Sequence, residues 1–139
     1  MLLLDNSAWA RLGSERLASK RLQEIAAWMS EGKLVTCLPF LLEAGYSARS
    51  GGERTEMMSN LARLPRVKID KEIEESALQA QQQLAAVGHH RLPPADIVIA
   101  ACADAAGSGV LHYDGDYDVI AQRTDLAFHS EWLARPGSL

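Results

Sequence analysis

Four carboxylates are spread along the chain at places where an α/β protein could bring them together: Asp5, Glu43, Asp96 and Asp114. Asp116 and Asp118 come after Asp114 at alternate positions in "LHYDGDYDVIA". Each has a structural explanation when taken singly. Asp5 could cap a helix, Asp96 could complement a helix dipole, and Asp114 and Asp118 could serve as turn and N-cap residues. Glu43 is harder to explain this way, because it lies inside the apolar run "FLLEAGY" with no basic neighbour nearer than Arg49. A glutamate is seldom buried without a partner.

Two carboxylates about 4 Å apart repel by roughly 4 kcal/mol at an effective dielectric near 20. Four converging ones would exceed the margin by which a domain is stable. Proton sharing, basic side chains or a hard divalent cation could neutralise them. An all-oxygen, histidine-poor donor set favours Mg²⁺ or Mn²⁺.

The elements needed to converge these acids are legible in the pattern of apolar residues. "LLLD" reads as a short buried strand ending at Asp5, with Asn6 and Ser7 able to cap the next element. Helical spacing runs from Ser14 to Met29 and closes at Gly32. "LVTC" is a second strand, and Pro39 suits the first turn of a helix carrying Glu43. Gly51 and Gly52 break the chain before a helix from Glu53 to Leu64, and "RVKID" reads as a third, more exposed strand.

Residues 71 to 87 have one apolar face, and "PADIVIAACADAAG" is a buried helix with a proline start and a glycine end. "GVLHY" is a fourth strand, Asp118 to Gln122 at most a short helix, and "LAFH" a fifth strand. Strands alternating with helices imply an α/β fold with parallel strands and helices on both faces. In such sheets ligands bind beyond the carboxyl ends of the strands. Asp5 and Asp114 belong to those ends, Asp96 to the first turn of the buried helix, and Glu43 to the second helical turn after Pro39. Asp104 lies eight residues beyond Asp96, about 12 Å along the helix. It should sit at the opposite end of the sheet. Glu72, Glu74 and Glu75 suit a helix dipole, and Asp118 a cap.

At 139 residues the chain is one domain, 1–139, with no repeat or linker. Cys37 and Cys102 stand alone and read as small buried hydrophobes in a reducing cytosol. "MLLLD" lacks a basic start and meets an acid after four apolar residues, so no signal peptide or membrane span is expected, and the expected location is cytoplasmic. The formal net charge of -4 conceals a segregated distribution. Arg49 to Lys71 holds six basic residues against three acids, whereas Glu72 to Asp118 holds eight acids and only Arg91.

With these acids placed, the chain resembles the PIN-domain ribonucleases, and among them the VapC toxins of toxin-antitoxin pairs. "LLLDNSAW", "LPFLLEAGYSAR", "LPPADIVIAACADAAG" and "VLHYDGDYDVIA" carry the resemblance over nearly the whole chain. It implies a PIN-like three-layer α/β/α fold with a five-stranded, mainly parallel sheet, and a Mg²⁺- or Mn²⁺-dependent endoribonuclease. Asp5, Glu43, Asp96 and Asp114 match the family's four acids, and Asp116 a frequent additional one. Asp5, Asp96 and Asp114 would hold a metal, with Glu43 and Asp116 orienting its waters or completing a second position. Ser7 matches a hydroxyl that holds the first acid or the scissile phosphate. His112 stands where many relatives carry Thr or Ser, and is expected either to hydrogen-bond near the site or to support the strand end.

RNA would need cationic contacts, for which Arg49, Arg54, Arg63, Arg66 and the loop His89, His90 and Arg91 are candidates beside a solvated-surface explanation. The resemblance further implies a VapB-type antitoxin partner and a homodimer. Two other classes fit less well. A receiver-type Mg²⁺-binding signalling domain would have an early acidic pair and a late lysine, yet no lysine occurs after Lys71. A non-catalytic PIN-like module would be expected to lack some of the acids.

Overall fold

Three apolar residues after Met1 form β1 (Leu2–Leu4), and the chain turns at once into a four-residue helix, α1 (Asn6–Trp9), whose N-cap is Asp5. A longer helix, α2 (Ser19–Ser30), buries Ile25 and leads to β2 (Leu34–Cys37). Pro39 sits in the first turn of α3 (Leu38–Tyr46), where its missing N–H costs nothing. Then come α4 (Gly51–Leu61), β3 (Arg66–Val67), α5 (Lys71–Ala86) and α6 (Pro94–Ala106). The chain closes with β4 (Gly109–His112), α7 (Asp116–Arg123) and β5 (Ser130–Trp132). These elements are drawn from a computed structural model that describes all residues, Met1–Leu139.

The five strands lie in the order β3-β2-β1-β4-β5, and every pairing is parallel. The expected sheet is therefore present, and it is parallel throughout. All residues of β2 and β4 are buried, as expected for a parallel sheet covered on both faces. From β1 the chain moves one way to β2 and β3, then returns past β1 to β4 and β5. Right-handed crossovers in opposite directions put their helices on opposite faces. The strand order reverses between β1 and β4, where a parallel sheet opens a crevice at its carboxyl edge.

α6 is apolar nearly all round and packs against β1, β4, α5 and α7. Its end at Gly107 adopts φ 64°, a left-handed cap that glycine reaches without steric penalty. Gly109 begins β4 under a different constraint. A Cβ there would lie 2.7 Å from the carbonyl oxygen of His129 and 2.8 Å from Leu2 Cδ2. One apolar cluster of 27 buried residues runs through both faces, including both cysteines, which are free thiols.

Several boundaries differ from the sequence expectation. The glycines at 51 and 52 form the first turn of α4 instead of breaking the chain. Ser50 Oγ accepts the Glu53 N–H at 3.1 Å, and Glu53 Oε2 accepts the Arg49 N–H at 3.1 Å. This resembles a capping box, with the return bond made to the residue before the N-cap Ser50. β3 stops at Val67 because Asp70 is needed to cap α5, accepting the Ile73 N–H at 2.9 Å. "LAFH" is not the fifth strand. Leu126 is drawn into the core, and pairing begins at Ser130. α7 starts at Asp116, two residues before the short helix expected there.

Candidate metal centre

Asp5 directly follows β1 and Asp114 comes just after β4, so the two central strands deliver both to the crevice where the strand order reverses. α6 contributes Asp96 from its first turn, and α3 brings Glu43. Asp5 is 3 % exposed and Asp96 7 %; Glu43, Asp114 and Asp116 are half-buried. Oxygens of Asp96, Asp114 and Asp116 all lie within 4.8 Å of one another. Asp5 and Glu43 stand outside that tight triplet.

No Lys, Arg or His forms an ion pair with any of these five acids; the five ion pairs of the molecule are all elsewhere. Their mutual repulsion is therefore expressed in proton affinity. Burial, then the charges of Asp5, Asp114, Glu43 and Asp116, push the Asp96 carboxyl up to about 7. Burial and the neighbouring Asp5 raise Glu43, and burial with Asp114 raises Asp116. Each shift favours the protonated carboxyl over its ordinary charged form, most of all at Asp96.

The donor set fits a hard divalent cation. Ligand oxygens on opposite sides of an ion bound at about 2.1 Å stand roughly 4.2 Å apart. The oxygens of the triplet, within 4.8 Å of one another, are spaced on that scale. Asp114 Oδ1 also accepts the Asp116 N–H at 3.0 Å, an Asx turn that leads into α7 and fixes the two acids relative to each other.

Asp5 is both a helix cap and a member of the acid cluster. Its Oδ2 accepts the Ser7 N–H at 2.9 Å and the Ser7 hydroxyl, and Ser7 Oγ in turn accepts the Tyr113 N–H at 2.9 Å. Ser7 thus ties the ends of β1 and β4 together. His112 is fully buried, and its Nδ1 accepts the Asp114 N–H at 3.1 Å. A neutral ring then carries its proton on Nε2, 2.7 Å from Ser130 Oγ. Burial lowers the His112 pKa, against an opposite pull from Asp118, Asp5, Asp114 and Glu131.

Asp118 does not cap α7. Its carboxylate accepts Ser130 Oγ–H at 2.7 Å and Trp132 Nε1–H at 2.9 Å, fastening β5 to α7. Asp104 lines a separate hollow with Gln83, Asp125 and Leu126. Arg49, Arg54, Arg63, Arg66, His90 and Arg91 are exposed, and His89 is half-buried; none joins an ion pair.

Tyr117 is the site residue that the acid pattern does not reveal. It is fully buried, and its hydroxyl donates to Asp5 Oδ1 at 2.6 Å while lying 3.4 Å from Asp96 Oδ1. Burial and the charges of Asp5 and Asp96 hold its pKa well above the usual phenol value, so the donor keeps its proton. Its signal in the sequence is an aromatic residue three positions after Asp114, which reads as core.

An acid cluster without ion-paired partners at the switch point of a parallel sheet makes this an α/β protein with a candidate cation site. The sequence profile of the PIN domain matches residues 2–123. Ribonuclease VapC18 of Mycobacterium tuberculosis is 34% identical over 139 residues, covering 98% of this chain and 97% of the relative. Ribonuclease VapC51 of the same organism is 33% identical over 137 residues, covering 99% and 96%. DNA-bound VapBC from Salmonella typhimurium superposes with a TM-score of 0.73 at 16% identity, covering 96% of this chain and 100% of the matched one. At that identity the likeness concerns the fold. The chain belongs to the PIN-domain family, and within it to the VapC ribonucleases.

Proposed function

We propose that this chain is a Mg²⁺- or Mn²⁺-dependent endoribonuclease toxin, hydrolysing RNA phosphodiester bonds at the Asp5, Glu43, Asp96, Asp114 and Asp116 cluster and restrained by a VapB-type antitoxin. The observation that carries this reading is the uncompensated charge: five acids share one crevice and no basic side chain pairs with any of them. Membership of a family whose relatives are named ribonucleases supplies the chemistry that such a crevice serves.

Asp96, Asp114 and Asp116 would hold the ion, with Asp5 reaching it through Oδ1 or through water. A divalent cation bound there supplies Lewis acidity, lowering the pKa of a water and stabilising charge on the phosphoryl oxygens. Glu43 faces the same crevice and would orient water against the scissile phosphate. Ser7 is committed to Asp5 and to the Tyr113 backbone, which favours its role as a support of the first acid over direct contact with phosphate. Exposed Arg49, Arg54, Arg63, Arg66 and Arg91 would hold flanking phosphates outside the acidic pocket.

The antitoxin reading rests on VapBC complexes among the structural neighbours, including one from Rickettsia felis with a TM-score of 0.72 at 13% identity. A single core cluster supports treating 1–139 as one domain, and no helix is long and apolar enough to cross a membrane. A homodimer is part of the same proposal.

RNA cleavage in Mg²⁺ or Mn²⁺ tests the site. Asp5→Asn and Asp96→Asn should each lose at least a hundredfold in rate. Activity equal to that of the unaltered protein in both would overturn the assignment.

A further inference from the structure

Tyr117 has the largest fully buried side chain in the molecule, and it ends at the two most deeply buried acids. Its ring packs against His112 at 4.8 Å between centroids, which leaves the hydroxyl little freedom to move away. Asp5 receives its side-chain donors from Ser7 and Tyr117; the single phenolic proton goes to Asp5, and the same oxygen stands 3.4 Å from Asp96 Oδ1.

A carboxylate oxygen offers two lone pairs. On Asp5 Oδ2 both are taken, by the N–H and hydroxyl of Ser7. Oδ1 accepts from Tyr117 and keeps one lone pair free. Asp5 can therefore offer a cation that one lone pair only, and Tyr117 fixes its direction. The same hydroxyl oxygen lies 3.4 Å from Asp96 Oδ1, between the two acids. A phenylalanine would fill the same space and supply none of this.

We propose that Tyr117 is a positioning residue, whose hydroxyl fixes Asp5 Oδ1 by hydrogen bond, with its oxygen beside Asp96 Oδ1, at the edge of the cation site and thereby sets the affinity for a divalent ion. This rests on the reading of the acid cluster as a cation site. Hydrogen bonds to metal-ligating groups typically contribute 10–100-fold to metal affinity or activity.

The test is calorimetric titration of the full chain with Mn²⁺ at about pH 8, comparing the unaltered protein with Tyr117→Phe, Asp96→Asn and the exposed control Tyr46→Phe. Tyr117→Phe should bind Mn²⁺ about tenfold more weakly, with Tyr46→Phe unchanged and Asp96→Asn weaker still. If Tyr117→Phe binds within twofold of the unaltered protein while Asp96→Asn loses affinity, the positioning role is wrong and the cation site stands. If Asp96→Asn also binds normally, the cation site itself is wrong and the proposal goes with it.

A second measurement does not depend on altering Tyr117. The chain has three tyrosines, so Tyr46→Phe/Tyr113→Phe leaves Tyr117 alone. Labelled with 3-fluorotyrosine, that protein should give one fluorine resonance that shifts saturably with Mg²⁺. A resonance that stays fixed while calorimetry registers binding would overturn the proposal.

Discussion

His112 and Asp114 are joined by one hydrogen bond, in which the Asp114 backbone N–H donates to His112 Nδ1 at 3.1 Å. The far side of the imidazole meets Ser130 Oγ, which donates to Asp118. The position of a candidate metal ligand is thus tied, through a buried ring, to the edge strand β5. His112→Ala should empty a buried site and leave the Asp114 N–H unpaired, costing about 2–5 kcal/mol of stability. His112→Asn restores an acceptor near Nδ1 and should recover part of the cleavage rate missing in His112→Ala. Urea unfolding and RNA cleavage on the same three proteins check both statements; equal cleavage by the alanine and asparagine variants would show that the acceptor is irrelevant.

Metal-free protein should become less stable as pH rises through about 7. The folded-state pKa of Asp96 lies above its unfolded value, so its contribution is complete at low pH and is lost as pH rises through about 7. Glu43 and Asp116 are shifted in the same direction. His112 is shifted down and acts oppositely, its contribution being lost as pH falls through its depressed pKa. Between about pH 6.5 and 8 the carboxylates therefore dominate. Scanning calorimetry should show a melting temperature that falls across this window without metal, and that Mg²⁺ or Mn²⁺ restores most at the upper end. Titration near pH 7 should release protons as the cation binds. A melting temperature rising with pH in the chelated protein would contradict the site's electrostatics.

Ser7→Ala removes the hydroxyl that bridges Asp5 and the Tyr113 N–H. The expected loss is about 1–2 kcal/mol in stability, with cleavage reduced but retained, because Asp5 keeps the Ser7 backbone N–H and the Tyr117 hydroxyl. Abolished cleavage with unchanged Mn²⁺ affinity would instead place Ser7 against the scissile phosphate.

Substrate binding outside the pocket should be electrostatic. Glutamate at Arg49, Arg54, Arg63, Arg66 or Arg91 should weaken RNA binding and reduce the slope of log affinity against log salt by roughly one for each phosphate released. Filter binding over a salt series measures both, and an unchanged slope in all five would remove these residues from the substrate path.

Hydrolysis assisted by a divalent cation needs no 2′-hydroxyl nucleophile. An RNA carrying a single 2′-deoxy nucleotide at the cleaved position should still be cut wherever it binds. Complete loss of cleavage with binding intact would require a different mechanism.

Asp5, Asp96 and Asp114 are legible in the sequence because each follows a strand or opens a helix, and parallel sheets gather those ends at one edge; Glu43, inside α3, is legible as an acid in an apolar run. The strand count and the parallel course are legible from apolar runs alternating with helical spacing. Side-chain reach is not. Asp118 has the position of a helix cap, yet Ser130 and Trp132, 12 and 14 residues away, claim its carboxylate. Tyr117 has the spacing of a core residue, and only the fold aims its hydroxyl at acids 112 and 21 residues away. Composition misplaces β5 because "LAFH" has the better strand residues, whereas pairing runs through the polar anchors at Ser130 and Trp132.

The strand order also has a consequence for when the protein could act during its own synthesis. β1 can pair with β2 as soon as both have left the ribosome, but the other neighbour of β1 is β4, more than a hundred residues downstream. Until that strand docks, Asp5 faces no Asp114 and the crevice has one wall. A nascent chain or a truncated fragment therefore holds its acids apart, and the assembled crevice is among the last features that translation completes.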